Sequence, residues 1–408
     1  MKFEAASPDV DSGISRGSAS EVFRVFLKLG LASFGGPIAH LGYFRDELVT
    51  RRKWLSEEAY ADLVALCQFL PGPASSQVGF SLGLLRGGPL GAFAAWAAFT
   101  LPSALLLVLF AYGASWFEGD VGAGILHGLK LVAVAVVAQA VWGMAKTLTP
   151  DRERAAIALL AIVLVVFVGG SIGQVAAIVV GGLLGLWLCR GLPPSPVGHL
   201  TFGVSKAVGW LALAIFFILL IALPVVANVA SWQSLSVFDA FYRAGALVFG
   251  GGHVVLPLLE TEVVQTGWVS GDAFLAGYGA AQAVPGPLFT FAAYLGAVMR
   301  PEPAGPLGAA IALVAVFLPG LLLVVGALPF WDAFRTKPMA QAAMRGANAA
   351  VVGVLGAALY NPVWTSAVLS PADFALALAG FLLLTVWKIA PWIVVVALGV
   401  GGAVLTLI

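Results

Sequence analysis

Gln68-Phe69-Leu70-Pro71-Gly72-Pro73 sits at the middle of an apolar stretch running from Glu57 to Arg86, and Gln282-Ala283-Val284-Pro285-Gly286-Pro287 halves another, from Ser270 to Arg300. Two prolines flanking a glycine interrupt a helix and free backbone groups. Lipid offers those groups no partner, so such a break is tolerated at membrane depth only where protein or water surrounds it. That a membrane is the solvent follows from composition. The 408 residues carry 21 Lys and Arg and 20 Asp and Glu; 61% of the chain is apolar, 10% is charged and mean hydropathy is +1.00. An average soluble domain is about a quarter charged. Several apolar runs approach or exceed the ~20 residues that carry a helix across a bilayer, and the short alternating strands of a β-barrel are missing. The fold class is therefore all-α and polytopic.

The two breaks belong to a duplication with an offset of about 215 residues. Phe34-Gly35-Gly36-Pro37 answers to Phe249-Gly250-Gly251-Gly252, Trp54 and Ser56 to Trp268 and Ser270, and Gln68 to Gln282. Gly88-Pro89-Leu90-Gly91 matches Gly305-Pro306-Leu307-Gly308, Pro102 matches Pro319, and Gly128 matches Gly346. Each copy reads as two interrupted apolar segments followed by four uninterrupted ones. The resulting division is a polar tail over 1–21, a first repeat over 22–190, a linker with one extra span over 191–235, and a second repeat over 236–408. One added crossing turns the second copy upside down.

The distribution of positive charge tests that topology, because short cytoplasmic loops collect Lys and Arg. With the interrupted segments re-entrant, nine full spans remain beside four interrupted segments, and an inside N-terminus places 18 of the 21 bases inside. Full crossing by all thirteen segments reduces that to 14. The loop holding Arg45, Arg51, Arg52 and Lys53 corresponds to one running from Glu260 to Asp272 with three acids and no base. Opposite charge in equivalent loops is what an inverted repeat predicts. The polar N-terminal stretch has no apolar core and no small-residue cleavage site, so it reads as a retained tail.

Phe34-Gly35-Gly36-Pro37, the Arg51-Arg52-Lys53-Trp54 run and Gln68 to Pro73 resemble the chromate ion transporter family in its long, two-domain form, from about Phe23 to Pro362. The resemblance implies a secondary transporter of the bacterial inner membrane that exports chromate, with sulfate as a competing substrate, is powered by the proton motive force and confers chromate resistance. The second copy departs from the pattern where Gly252-His253 replaces a Gly-Gly-Pro ending. A carrier or channel for another small anion such as sulfate shares the same physical features, and a homodimer is a further expectation.

Chromate is a tetrahedral dianion, and a half-helix that starts after a break points unpaired N–H groups and its positive dipole end at an anion. The expected substrate contacts are Gly35, Gly36, Pro37, Gln68, Pro71, Gly72 and Pro73, with Ser75, Ser76 and Gln77 adding donors. Gly250, Gly251, Gln282, Pro285, Gly286 and Pro287 supply the second copy's share, and Arg243 is read as an anion contact. Lys28 occupies the place equivalent to Arg243; a membrane-embedded base is a functional group by default, while a snorkelling side chain is the plain alternative. Lys130 and Arg45 are weighed the same way, as pathway residues or as topology signals. His40 and His253 follow the two glycine clusters, and imidazole as a group titrates in the range that proton coupling needs, so each is read as a coupling or pathway candidate.

Other chemistries find little support. Gly169-Gly170-Ser171-Ile172-Gly173 matches the nucleophile pattern but lies between two spans, without its strand-turn-helix context. No phosphate-binding loop or zinc-protease motif occurs, so neither an enzyme nor a cofactor is expected. Cys67 and Cys189 have no metal-binding or disulfide spacing, and no basic run suits nucleic acid. The partners are the anion and the lipid bilayer.

Overall fold

A computed structural model describes residues 17–34, 36–113, 119–190, 203–230, 232–249, 252–300, 302–331 and 337–407. Gly35, Gly250 and Gly251, expected at the site, fall outside these residues. Among the described residues there are sixteen helices of eight residues or more and no strand. They are α1 (Ala19–Ala32), α2 (Gly36–Phe44), α3 (Glu57–Phe69), α4 (Ala74–Gly113), α5 (Asp120–Leu148), α6 (Arg152–Val168), α7 (Gly170–Leu188), α8 (Lys206–Ala230), α9 (Gln233–Ala246), α10 (Val255–Val263), α11 (Gly271–Ala281), α12 (Phe291–Val298), α13 (Gly305–Ala327), α14 (Pro338–Ala358), α15 (Pro371–Thr385) and α16 (Pro391–Leu407).

The two copies match element by element once α4 is divided at Gly87-Gly88, where Gly88 takes φ +65° and the helix folds back on itself. We call the part before that break α4a and the part after it α4b. The fold-back is close: a Cβ on Gly83 would meet Ala95 Cβ at 2.8 Å. Helix starts also repeat. Ser56 Oγ accepts the Ala59 N–H and caps α3, and Ser270 Oγ accepts the Ala273 N–H and caps α11; each such cap stabilises its helix by about 1 kcal/mol. Helix α8 is the extra span. Five helical stretches, beginning at Ala74, Asp120, Lys206, Gly305 and Pro338, are long and apolar enough to cross a bilayer. The protein is a multi-pass membrane protein built from two repeats.

The interrupted segments are hairpins. Helices α1 and α9 have 14 residues each, about 21 Å at 1.5 Å per residue, and fall short of a ~30 Å hydrocarbon core. In the first half both ends of each hairpin meet at one face. The Arg86 guanidinium, at the exit of α4a, lies 5.2 Å from the Trp54 ring before α3 and pairs with Glu21 of α1 at 3.0 Å. In the second half the Arg300 N–H donates to the Trp268 carbonyl at 2.8 Å, joining the corresponding ends.

These two faces are on opposite sides of the molecule. Helix α4b starts at Gly88 beside Arg86 and ends near Tyr112, whose hydroxyl would stand 2.8 Å from a Cβ on Gly305, just past Arg300. The 24 residues between Gly88 and Tyr112 span about 36 Å as helix. The hairpins of the two halves thus dip in from opposite faces, and the repeats are inverted.

The remaining helices are exchanged between halves. Helix α5 packs on α15 and α16, whereas α14 packs on α6 and α7. Small residues let the backbones approach: a Cβ on Gly128 of α5 would meet Gly399 Cα at 2.8 Å, and one on Gly346 of α14 would meet Gly185 Cα at 2.6 Å. The aromatic core of the second half, including Tyr242, Tyr278, Phe289, Phe291 and Phe317, is continuous with α5 of the first.

Candidate functional site

The hairpin tips cross. The Gly72 N–H of the first break donates to the Val248 carbonyl after α9 at 2.7 Å, and the Gly286 N–H of the second donates to the Ser33 carbonyl after α1 at 2.9 Å. Val248 and Ser33 are equivalent positions, so each loop is held by the first helix of the other half. Both glycines have positive φ, +116° and +112°, which side chains rarely tolerate. Each also lies against the far half's long helix: a Cβ on Gly72 would stand 2.9 Å from Gly320 Cα, and one on Gly286 would stand 2.8 Å from Ser103 Oγ. The break needs glycine for conformation and for space.

Polar groups gather on the first half's side. Ser75 and Ser76 lie in the first turn of α4a, where backbone N–H groups have no intrahelical acceptor. Both are buried, and Ser76 Oγ has no hydrogen-bond partner. His40 of α2 is fully buried; its Nδ1 lies 3.4 Å from Ser75 Oγ, its ring meets Phe99 edge-on at 5.4 Å, and its Nε2 has no partner. The hydroxyls of Ser33, Ser81 and Thr100 are also buried and unpartnered. An unsatisfied buried hydroxyl costs about 1–3 kcal/mol, so the idle Ser76 hydroxyl at the start of α4a, with idle hydroxyls on α1's end and α4b, is what an anion would stabilise.

The sequence-based candidates divide. Pro71, Gly72, Pro73, Ser75, Ser76, Pro285, Gly286 and Pro287 belong to the crossing or its flanks, as does Gln77. The Gln77 amide donors are already engaged, however: Nε2 gives hydrogen bonds to the Pro71 and Gly320 carbonyls, both at 2.9 Å. Gln77 joins the loop to the other half and has no donor left for a ligand. Gly36 and Pro37 begin α2, with Gly36 at φ +79°. Gln68 is exposed at the end of α3, while Gln282 is half-buried with its Nε2 unpartnered.

The basic candidates are engaged elsewhere. Arg243 reaches Glu262 through both terminal nitrogens at 2.9 Å and Asp239 at 2.9–3.0 Å. Lys28 pairs with Glu47 at 3.5 Å, and Glu47 also takes Arg51 and Arg52. Lys130 pairs with Asp272 at 2.6 Å and Arg45 with Glu57. His253 Nδ1 lies 2.6 Å from the Tyr278 hydroxyl. Sequence reading missed Ser33, Thr100 and Ser103 at the crossing, and missed Glu47 and Glu262 as the partners of the two bases. The repeat offset contained the second signal, since it places Glu47 on Glu262 just as it places Lys28 on Arg243. The hydroxyl residues flanking Pro102 within an apolar run were the first.

Two cavities lie outside the crossing. One of about 600 Å³ opens beside Tyr112, Arg300 and Glu302, where α4b ends. The other, about 440 Å³ and almost entirely apolar, runs between α7, α9 and α10, with Arg243 and Glu262 on its wall.

A family model described as chromate transporter matches residues 20–186 and again 235–403. The chain belongs to the chromate transporter family. Its two matched segments correspond to the two structural copies, with α8 between them. Among relatives, the chain is 29% identical to the chromate transport protein of Pseudomonas aeruginosa, over 95% of this chain and 92% of the relative. It is 29% identical to a probable chromate transport protein of Synechococcus elongatus over 84% of each, and 27% identical to the chromate transport protein of Cupriavidus metallidurans over 82% and 80%. No solved structure matches the chain. Membership of this family indicates a transport function.

Proposed function

We propose that the chain is a secondary carrier that exports chromate across the bacterial inner membrane, holds the dianion at the hairpin crossing and draws on the proton motive force, conferring chromate resistance. The observation that carries this reading is the reciprocal crossing itself, with idle buried donors beside the start of α4a. The anion would take the N–H groups of Ser75 and Ser76 and the Ser76 hydroxyl, with Ser33 and Thr100 near. A site of neutral donors suits release as well as binding, because no fixed cation has to give the anion up. The engaged state of Arg243 removes it from the proposed ligand set.

The face bearing Arg51, Arg52 and Arg86 would be cytoplasmic, with the N-terminus on that side, since it gathers positive charge. Cations there would concentrate anions at the mouth. Exchange of α5 and α14 between copies argues that access alternates by movement at the hairpin tips, because the two copies are not separable bodies that rock. Sulfate, also a tetrahedral dianion, fits the same donors and would compete.

Proteoliposomes loaded with the purified chain test the reading. Chromate flux that responds to an imposed membrane potential or pH gradient, and that sulfate reduces, is expected. No flux of chromate under any gradient would overturn the proposal, and flux of sulfate alone would reassign the substrate. The mass of the detergent-solubilised particle tests the expected homodimer.

A further inference from the structure

His40 and His253 are the two histidines nearest the motifs, and they differ in what they touch. His253 is satisfied by the Tyr278 hydroxyl. His40 is not: its Nδ1 faces Ser75 Oγ at 3.4 Å, a long contact, and its Nε2 is buried without a partner. The ring also lies against the Ser33 carbonyl, the group that receives the Gly286 N–H. Thus one imidazole touches the tip of α1, the start of α4a and, through Ser33, the opposite half's break.

Among the described residues, no charged group is paired with it. Its contacts are Ser33, Ser75 and the Phe99 ring. Among the described ionisable groups on the packed elements, Lys28 is engaged by Glu47, Arg24 by the Ser20 carbonyl, Arg86 by Glu21, Arg45 by Glu57, Tyr60 by the Leu41 carbonyl and Asp62 by Trp331, while Tyr43 is exposed and Cys67 is a buried free thiol. Arg51 and Arg52 hold Glu47, and Asp46 is exposed.

We infer that His40 is the proton-carrying ligand of the oxyanion site, so that a proton on His40 and a dianion at the crossing bind together and cross together. This rests on the oxyanion reading above. A neutral imidazole has one donor and one acceptor, and becomes a double donor only on protonation. A lone imidazolium among Ser33, Ser75 and Phe99 would be a buried, unpaired charge, which is costly. A dianion at the first turn of α4a is the missing counter-ion, and the second ring N–H is a donor for it. Each therefore favours the other, and linkage makes that reciprocal.

The balance is simple. One proton from the compartment where the dianion binds adds to the imidazole, the dianion adds beside it, and both leave on the far side, so one net negative charge moves per cycle. An inside-negative potential drives that complex outward, while an acidic exterior opposes the proton's departure. Export is then powered by the electrical part of the proton motive force alone.

Chromate titrated into the purified full-length chain in weak buffer, at roughly pH 7.5 to 8.5 where the free anion is the dianion, tests this with a pH indicator. About one proton taken up per chromate bound is expected, with affinity falling up to about tenfold per unit rise in pH. His40→Gln is expected to bind chromate more weakly, with no proton uptake and a flat pH profile; His253→Gln is expected to behave as wild type. Binding without proton uptake, proton release on binding, or uptake that persists in His40→Gln overturns the inference and leaves the oxyanion site standing. A wild-type chain that binds neither chromate nor sulfate removes both. Where His40→Gln does not fold, the wild-type proton count decides alone.

Discussion

At the crossing, Ser75, Ser76 and Gln77 of the first half stand where the second half has Phe289, Thr290 and Phe291, while Thr100 and Ser103 stand where it has Phe317 and Gly320. His40 corresponds to Val255 and Ser33 to Val248. The hydroxyl that does recur, on Thr290, already donates to the Pro287 carbonyl at 2.8 Å, whereas Ser76 Oγ is idle. The second half's helix also begins as a tight turn over Leu288–Thr290, which consumes the Thr290 N–H. Duplication preserved the backbone device, a broken hairpin clamped by the opposite half, and left the idle buried hydroxyls, among the described residues, on one side only. Each half supplies a carbonyl clamp; the first adds idle donors and the second an aromatic wall.

The backbone part of the comparison is symmetrical, so its disruption should be too. Gly72→Val and Gly286→Val each force a branched side chain into positive φ against a neighbouring helix. Both are expected to lose most folded protein, read as recovery of the monodisperse particle. A large loss for one and none for the other would break the symmetry.

The ion pairs come next and should be unequal. Arg243→Gln leaves a buried Asp239 and a part-buried Glu262 unpaired, an effect of about 3 kcal/mol, seen as a large fall in thermal stability. Lys28→Gln removes a 59% exposed side chain from a Glu47 that keeps Arg51 and Arg52, and less than about 1 kcal/mol is expected.

Ligand chemistry sharpens the contrast further. Ser76→Ala is expected to weaken chromate affinity by about tenfold, the worth of one hydrogen bond to a charged group, measured by equilibrium binding. Thr290→Val, its counterpart, is expected to leave affinity within about twofold, because its hydroxyl is already spent on Pro287. Equal effects would mean that the halves share the site evenly.

Much of this architecture is legible in the residues. The Pro-Gly-Pro pairs, the Phe-Gly-Gly pairs and opposed loop charges reveal two inverted copies, because backbone breaks and positive charge obey local rules. The site is less legible. Gln77 has the look of an anion ligand, but its donors go to two carbonyls, one of them 243 residues away in sequence. Arg243 has the look of a free cation until Glu262 arrives from the next helix. The Gln77 partnership depends on which hairpins cross, which neither composition nor spacing encodes, whereas the Arg243 pair is marked only by the repeat offset that sets Glu262 against Glu47. The exchange of α5 and α14 is equally hidden, since Gly128 and Gly346 mark close packing without saying whose helix is packed.

Counting chromate sites at equilibrium on the purified chain tests the central claim most directly. One site per chain, strongly weakened by Ser75→Ala combined with Ser76→Ala and little changed by Thr290→Val, is the result this account predicts. Two equivalent sites, or one site indifferent to the serine pair, would contradict it.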